Sequence, residues 1–236
     1  MVSVVDVPTR SAPHFTVGVG HARYRGAVVD GTAHRHAAFQ IAIAIQGEVT
    51  MVDAAATRHR SAVLIVPPMT EHRMFAREDV LTYFVEPHCA FADRLRRRCG
   101  VGITAAPELH ELRESDLSRA DLHPSSELDP RLVAALSMLR GRDAAMPDLA
   151  RAVGLSPQRL RALSRCQLGL PLTRWRAWAR LQRAAEALGA GQSLAGAADT
   201  AGFADQAHLT RWMREMMGLT PGAVLSALGD HARRAT

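Results

Sequence analysis

The 236-residue sequence predicts two domains of different class: an N-terminal all-β barrel followed by helices, then an all-α domain holding two helix-turn-helix units joined by a long helix. Three observations predict this. Up to about residue 86, short β-branched and aromatic runs alternate with Gly, Pro and Asp, as in antiparallel sheets. From about residue 146 the apolar residues recur at helical spacing, and one helix-turn-helix pattern occurs twice. Between the two, residues 123–128 (His-Pro-Ser-Ser-Glu-Leu) carry the punctuation of a linker, which sets the domains at 1–126 and 127–236.

Composition narrows the class of molecule. With 47% hydrophobic and 22% charged residues, each domain can bury its own core and wholesale disorder is excluded. No run approaches the roughly 20 apolar residues of a membrane span, and the first ten residues hold Asp6 and Pro8 instead of a basic then apolar leader. A cytoplasmic location with no membrane partner is therefore expected. Cys89, Cys99 and Cys166 are few, odd in number and far apart, which argues against a disulfide framework and for reduced thiols. The net charge of +6 is uneven: from Arg140 onward there are 14 Arg against 7 acidic residues, so the positive excess lies in the C-terminal part and points to a polyanionic partner.

Strands are expected at 16–19, 24–29, 39–46, 49–52, 62–66, 72–75 and 80–85, with Pro67 and Pro68 ending the fifth because proline cannot donate to a ladder. His34 and His36 stand two residues apart, the spacing that puts both imidazoles on one face of a strand, and Gln40 shares that face. His72 can approach from a neighbouring strand. This stretch resembles a cupin barrel, a family whose metal sites use two His, a Glu and a third His. Here Gln40 stands where the acidic ligand would be, and an amide is a poorer donor to a divalent ion than a carboxylate. Two readings follow from the resemblance: His34, His36, Gln40 and His72 line a pocket for a small-molecule effector, or they hold a divalent metal ion. After Pro87, Phe91, Leu95, Leu109, Leu112 and Leu117 are spaced for amphipathic helices bearing the arginine-rich run 94–98. That segment either pairs two copies of the chain or caps the barrel with a solvated arginine face.

Residues 148–165 follow helix-turn-helix grammar. Ala150 lets two helices approach, Gly154 frees the turn, and Ser156 caps a second helix with Pro157 at its first position. Gln158 and Arg161 share an outer face while Leu160 and Leu163 point inward. Ala198, Gly202, Phe203, Ala204, Asp205, Gln206, Leu209 and Gly218 repeat the plan, offset by 48 before the turn and 49 after it, with one extra residue near the turn. Ser156, Gln158, Arg159 and Arg161 in the first unit are candidate contacts to double-stranded DNA. In the second, Gln206 and Arg211 are placed for base edges, and His208, Thr210 and Arg214 for phosphates. Residues 171–188, with Trp175, Trp178, Leu181, Ala184, Ala185 and Leu188 on one face, read as a rod that holds the units about 34 Å apart.

The segment 198–221, with Gly202-Phe203, Asp205-Gln206, His208-Leu209-Thr210-Arg211 and Gly218-Leu219-Thr220-Pro221, resembles the signature of AraC/XylS-type regulators, and the resemblance extends over 129–228. It implies a sequence-specific DNA-binding transcription regulator with a cupin-like sensor domain responding to a small-molecule or metal effector. A homodimer is expected, with RNA polymerase as a further partner. Leu209 and Met213 depart from the family's aromatics, Ala197 from its isoleucine and Ser164 from its phenylalanine. Ala162 and Ala207 lie where relatives often carry a polar base-reading side chain. The competing reading is a metal-dependent cupin enzyme with an attached DNA-binding domain, for which the sequence supplies no catalytic acid or base. A third, a purely architectural DNA-binding protein, would need no pocket.

Overall fold

The computed structural model describes residues 13–28, 31–100, 102–117, 122–141 and 143–219, together with residues 222, 224, 225 and 227. Val29, Thr220 and Pro221 lie outside the described residues. Strands β1 (His14–Gly18), β2 (His21–Gly26), β3 (Phe39–Ala44), β4 (Val49–Asp53), β5 (Arg58–Ser61), β6 (Val63–Val66), β7 (His72–Phe75), β8 (Val80–Val85) and a short β9 (Thr104–Ala105) form two antiparallel sheets, ordered β1-β2-β8-β3-β6-β9 and β5-β4-β7. Ala42, Ala44, Val49, Met51, Leu64, Val66 and Met74 fill the space between them. The other face of the larger sheet carries Ile41, Ile43, Ile65, Tyr83 and Val85 under helix α1 (Ala90–Cys99), which contributes Phe91, Leu95 and Cys99. Covered on both faces, β6 reads as an unbroken apolar run and β3 as one interrupted only by Gln40, instead of alternating.

Two expectations are corrected. The Arg58-His59-Arg60 stretch, too polar to suggest a strand, is edge strand β5 with alternate residues exposed. Between Pro87 and the linker, α1 is the only regular helix among the described residues; residues 107–109 and 114–116 are single 3-10 turns, and Leu109, Leu112 and Leu117 pack individually against the cluster beneath α1. The arginines of α1 find partners within the chain. Arg96 donates to Asp93 and to the Pro87 carbonyl, Arg97 pairs with Glu127, Arg98 pairs with Glu108, and Arg94 lies over the Phe91 ring. The apolar face of α1 is buried on the sheet, as a cap.

The C-terminal half consists of α2 (Pro130–Gly141), α3 (Met146–Ala152), α4 (Pro157–Leu168), α5 (Leu172–Gly189), α6 (Leu194–Ala201) and α7 (Gln206–Met217). The expected rod is α5: Trp175, Trp178, Leu181, Ala184, Ala185 and Leu188 are all buried. Trp175 Nε1 donates to the Leu136 carbonyl, and Arg183 Nη1 donates to the carbonyls of Leu139 and Arg140, satisfying the end of α2. Phe15, Ala22, Tyr24 and Phe84 of the sheets belong to the same apolar cluster as these helices. The two halves therefore share a core, with the Phe84 and Trp178 rings 5.8 Å apart at its centre. No helix among the described residues is long and apolar enough to cross a membrane.

Candidate nucleic-acid interface and histidine cluster

The two helix-turn-helix units are built from the same local bonds. Gly154 and Gly202 adopt left-handed conformations, with φ of +67° and +78°, which only glycine takes without strain. The next residues turn back identically: Leu155 N–H donates to the Ala150 carbonyl at 2.9 Å, and Phe203 N–H to the Ala198 carbonyl at 2.8 Å. Ser156 Oγ then accepts from the Arg159 amide and Asp205 Oδ1 from the His208 amide, capping α4 and α7. Both helices end at a left-handed glycine, Gly169 and Gly218.

These bonds locate the extra residue. The offset is 48 through Phe203 and 49 from the cap Asp205 onward, so Ala204 is the insertion. Gln206 therefore corresponds to Pro157 and not, as the shared glutamine suggests, to Gln158; Gln158, Arg159, Ala162 and Arg165 correspond to Ala207, His208, Arg211 and Arg214. Arg165, exposed, was missed as a candidate although the offset of 49 that pairs it with Arg214 is present in the sequence.

Ser156, Gln158, Arg159, Arg161, Gln206, Arg211 and Arg214 are exposed. His208 and Thr210 are only partly so, and both are engaged inside their own unit. The His208 ring stands 3.2 Å from the Ala204 amide and 2.8 Å from Trp212 Nε1, edge-on to Phe203. Thr210 Oγ1 donates to the Gln206 carbonyl. Both side chains thus also brace the turn and helix of their own unit.

In the N-terminal half, His34 lies in an isolated bridge with His72, and His36 precedes β3, so the two do not share a regular strand as expected. Their rings nevertheless converge, with centroid separations of 4.8 Å (His34–His36), 4.4 Å (His34–His72) and 5.2 Å (His36–His72). Gln40 joins them, its Oε1 3.0 Å from His36 Nε2, and all four side chains are buried. Each ring is anchored through Nδ1: His34 to the Thr32 carbonyl, His72 to the Thr70 carbonyl and His36 to the Met216 carbonyl. A carbonyl only accepts, so Nδ1 carries the proton and Nε2 the lone pair. Burial first, then the neighbouring histidines, holds His36 well below its ordinary pKa; burial and then His34 bring His72 down to about 3.

This donor set fits a divalent transition metal. Neutral imidazoles with the second nitrogen tied to a backbone carbonyl are the form in which histidine is offered to such ions. One ring nitrogen from each of the three lies within 4.8 Å of the others, against about 3.4 Å between nitrogens around a tetrahedral zinc, so the rings must close inward by about an ångström. His72 Nε2 is buried without a hydrogen-bond partner.

Residues 149–227 match the family described as a helix-turn-helix domain. The C-terminal domain is AraC-type. The chain's two-domain fold is similar to that of ToxT from Vibrio cholerae, with a TM-score of 0.54 at 10% identity over 88% of this chain and 97% of that one. Against an apo ToxT variant from the same organism the TM-score is 0.58, at 10% identity over 89% and 98% of the two chains. An AraC-type DNA-binding domain protein from Chromobacterium violaceum is 24% identical over 42% of this chain and 92% of that chain, with a TM-score of 0.41. No curated protein matches the sequence.

The AraC-type domain is seated directly on the histidine cluster. Besides the Met216 carbonyl bonded to His36, the Glu215 carbonyl accepts from the Arg35 amide at 3.2 Å. A Cβ on Gly218 would lie 2.8 Å from the His34 ring. The C-terminal end of α7 thus closes the mouth of the N-terminal sheets. The cavity left there, lined by His34, Gln40, Met74, Phe84, Met217 and Leu219 among others, measures about 20 Å³.

Proposed function

We propose that this regulator reads two successive major-groove segments, with α4 in one and α7 in the next, and that a ligand in the N-terminal domain sets how firmly the AraC-type domain sits on the sheets. The observation that carries the reading is that the end of α7 forms one wall of the cavity beside the histidines. Whatever enters that cavity with different affinity for the seated and unseated forms must shift their balance. On α4 the DNA contacts are Ser156, Gln158, Arg159, Arg161 and Arg165; on α7 they are Gln206, Arg211 and Arg214. The chain acts as a homodimer, and RNA polymerase is its further partner.

The effector is a small molecule or a metal ion. One ToxT structure of similar fold is described as bound to an unsaturated fatty acid. In this chain a cavity of about 20 Å³ holds roughly one water. An organic effector therefore enters only if Met217 and Leu219 withdraw, which moves α7.

Selection of duplexes from a random pool tests the proposal. The expected result is paired sequence blocks about 10 base pairs apart, one per unit. Recovery of DNA with no sequence preference would sink it.

A further inference from the structure

We infer that His34, His36 and His72 bind a divalent d-block cation, and that the AraC-type domain completes this site by supplying the Met216 carbonyl that orients His36. The consequence for regulation rests on the function proposed above; the site itself rests on the geometry of the cluster.

Three features select an ion over an organic ligand. One ring nitrogen from each of His34, His36 and His72 lies within 4.8 Å of the others. His72 Nε2 is buried with no hydrogen-bond partner. His36 Nε2, an acceptor because Nδ1 donates to Met216, faces the Gln40 side-chain carbonyl at 3.0 Å. Two acceptors face one another stably when a cation lies between them or when the amide turns its NH2 to the ring. The donors are imidazole nitrogens and an amide oxygen. That set suits zinc, nickel or cobalt and is poor for magnesium or calcium, which require several oxygens.

His36 and Met216 are 180 residues apart and belong to different domains. The carbonyl that fixes a ligating histidine through its other nitrogen is typically worth 10- to 100-fold in metal affinity. Unseating α7 removes that carbonyl, so the unseated form binds the ion more weakly. By linkage, the ion holds the end of α7 to the sheets by the same factor. The bound ion is therefore a clasp between the sensor domain and the second recognition helix.

The test uses the full-length protein freed of metal by a chelator. Titration with zinc, and separately with cobalt(II) followed by its visible ligand-field absorption, is expected to show one equivalent bound. Affinity should fall at least tenfold in His72→Gln and in His36→Gln, each checked for folding by circular dichroism. Hydrogen exchange of the unmodified protein makes the result independent of variant folding: zinc should slow exchange in residues 31–40 and 70–75 and also in 213–219. No saturable binding, or zinc protection that leaves 31–40 and 70–75 unchanged, overturns the site. Protection confined to those two segments, with 213–219 unaffected, overturns the clasp. Sequence-specific DNA binding by the chelated protein, together with an absence of metal binding, would sink this inference and leave the proposed function standing.

Discussion

Glu86, fully buried just beyond β8, forms an ion pair at 3.2 Å with Arg140 of α2, across the junction between the two domains. Gln182 of α5 donates to the same carboxylate at 2.7 Å, and Arg140 also donates to the Gly18 carbonyl. Helices α2 and α5 thus converge on one buried carboxylate. Removing Arg140 strands that charge. Arg140→Ala is expected to lower stability by roughly 3 kcal/mol, and Glu86→Gln, which leaves a neutral acceptor, by clearly less. Denaturant unfolding of both variants decides the matter; equal and negligible shifts would mean that the domains are held by apolar contact alone.

His88 makes this junction sensitive to acid. Its ring is buried beside Glu86 and Arg140 and edge-on to Trp175 at 5.0 Å. Burial, the largest influence, lowers its pKa below the ordinary 6.5; Arg140 adds to the lowering and Glu86 opposes it. The unfolded chain therefore takes up a proton at a higher pH than the folded one. The stability this neutral imidazole secures is present above about pH 6.5 and lost progressively below it. Urea midpoints measured from about pH 7.5 down to 5.5 should fall, and His88→Gln should make the fall shallower. An unchanged slope in that variant would place the acid sensitivity elsewhere.

The helix-turn-helix units were legible in the sequence because their determinants are local. Gly154 and Gly202 set a backbone angle, Ser156 and Asp205 cap the helix they begin, and each bond spans five residues or fewer. The register within the second unit was not legible, since Ala204 announces an insertion only once the two caps are superposed. Strand β5 was hidden by its polar edge-strand composition. His34, His36, Gln40 and His72 could be grouped by spacing and analogy, but their contact with α7 could not, because His36 and Met216 lie 180 positions apart. Glu86 was invisible for the same reason: its partners Arg140 and Gln182 follow 54 and 96 residues later.

The three thiols should separate sharply in reactivity. Cys166 is exposed on α4, whereas Cys89 and Cys99 are buried and burial pushes both thiols up to about 11. Thiolate is the reacting form, so both buried cysteines are doubly protected at neutral pH. Mass spectrometry after brief alkylation of the native protein is expected to show modification at Cys166 alone, with Cys89 and Cys99 following only in denaturant. Early labelling of Cys99 would reveal that α1 lifts from the sheet.

The corrected register predicts that the two recognition helices read DNA differently. Arg211 of α7 corresponds to Ala162 of α4, so the second unit places a guanidinium where the first has a methyl group. Arg165 and Arg214, equivalent to one another and near the C-terminal ends of their helices, are positioned for the phosphate backbone instead. Arg211→Ala should cost about 1–3 kcal/mol and relax discrimination at one base pair of the second block, leaving the first block's preferences intact. Arg165→Ala should weaken binding about equally on every sequence and reduce the slope of log affinity against log salt by about one. Affinities for a selected duplex and its single-base variants, each measured at two salt concentrations, separate the cases. If Arg211→Ala behaves like Arg165→Ala, then Arg211 is a backbone contact and the specificity of the second unit must come from Gln206 or from the shape of the DNA itself.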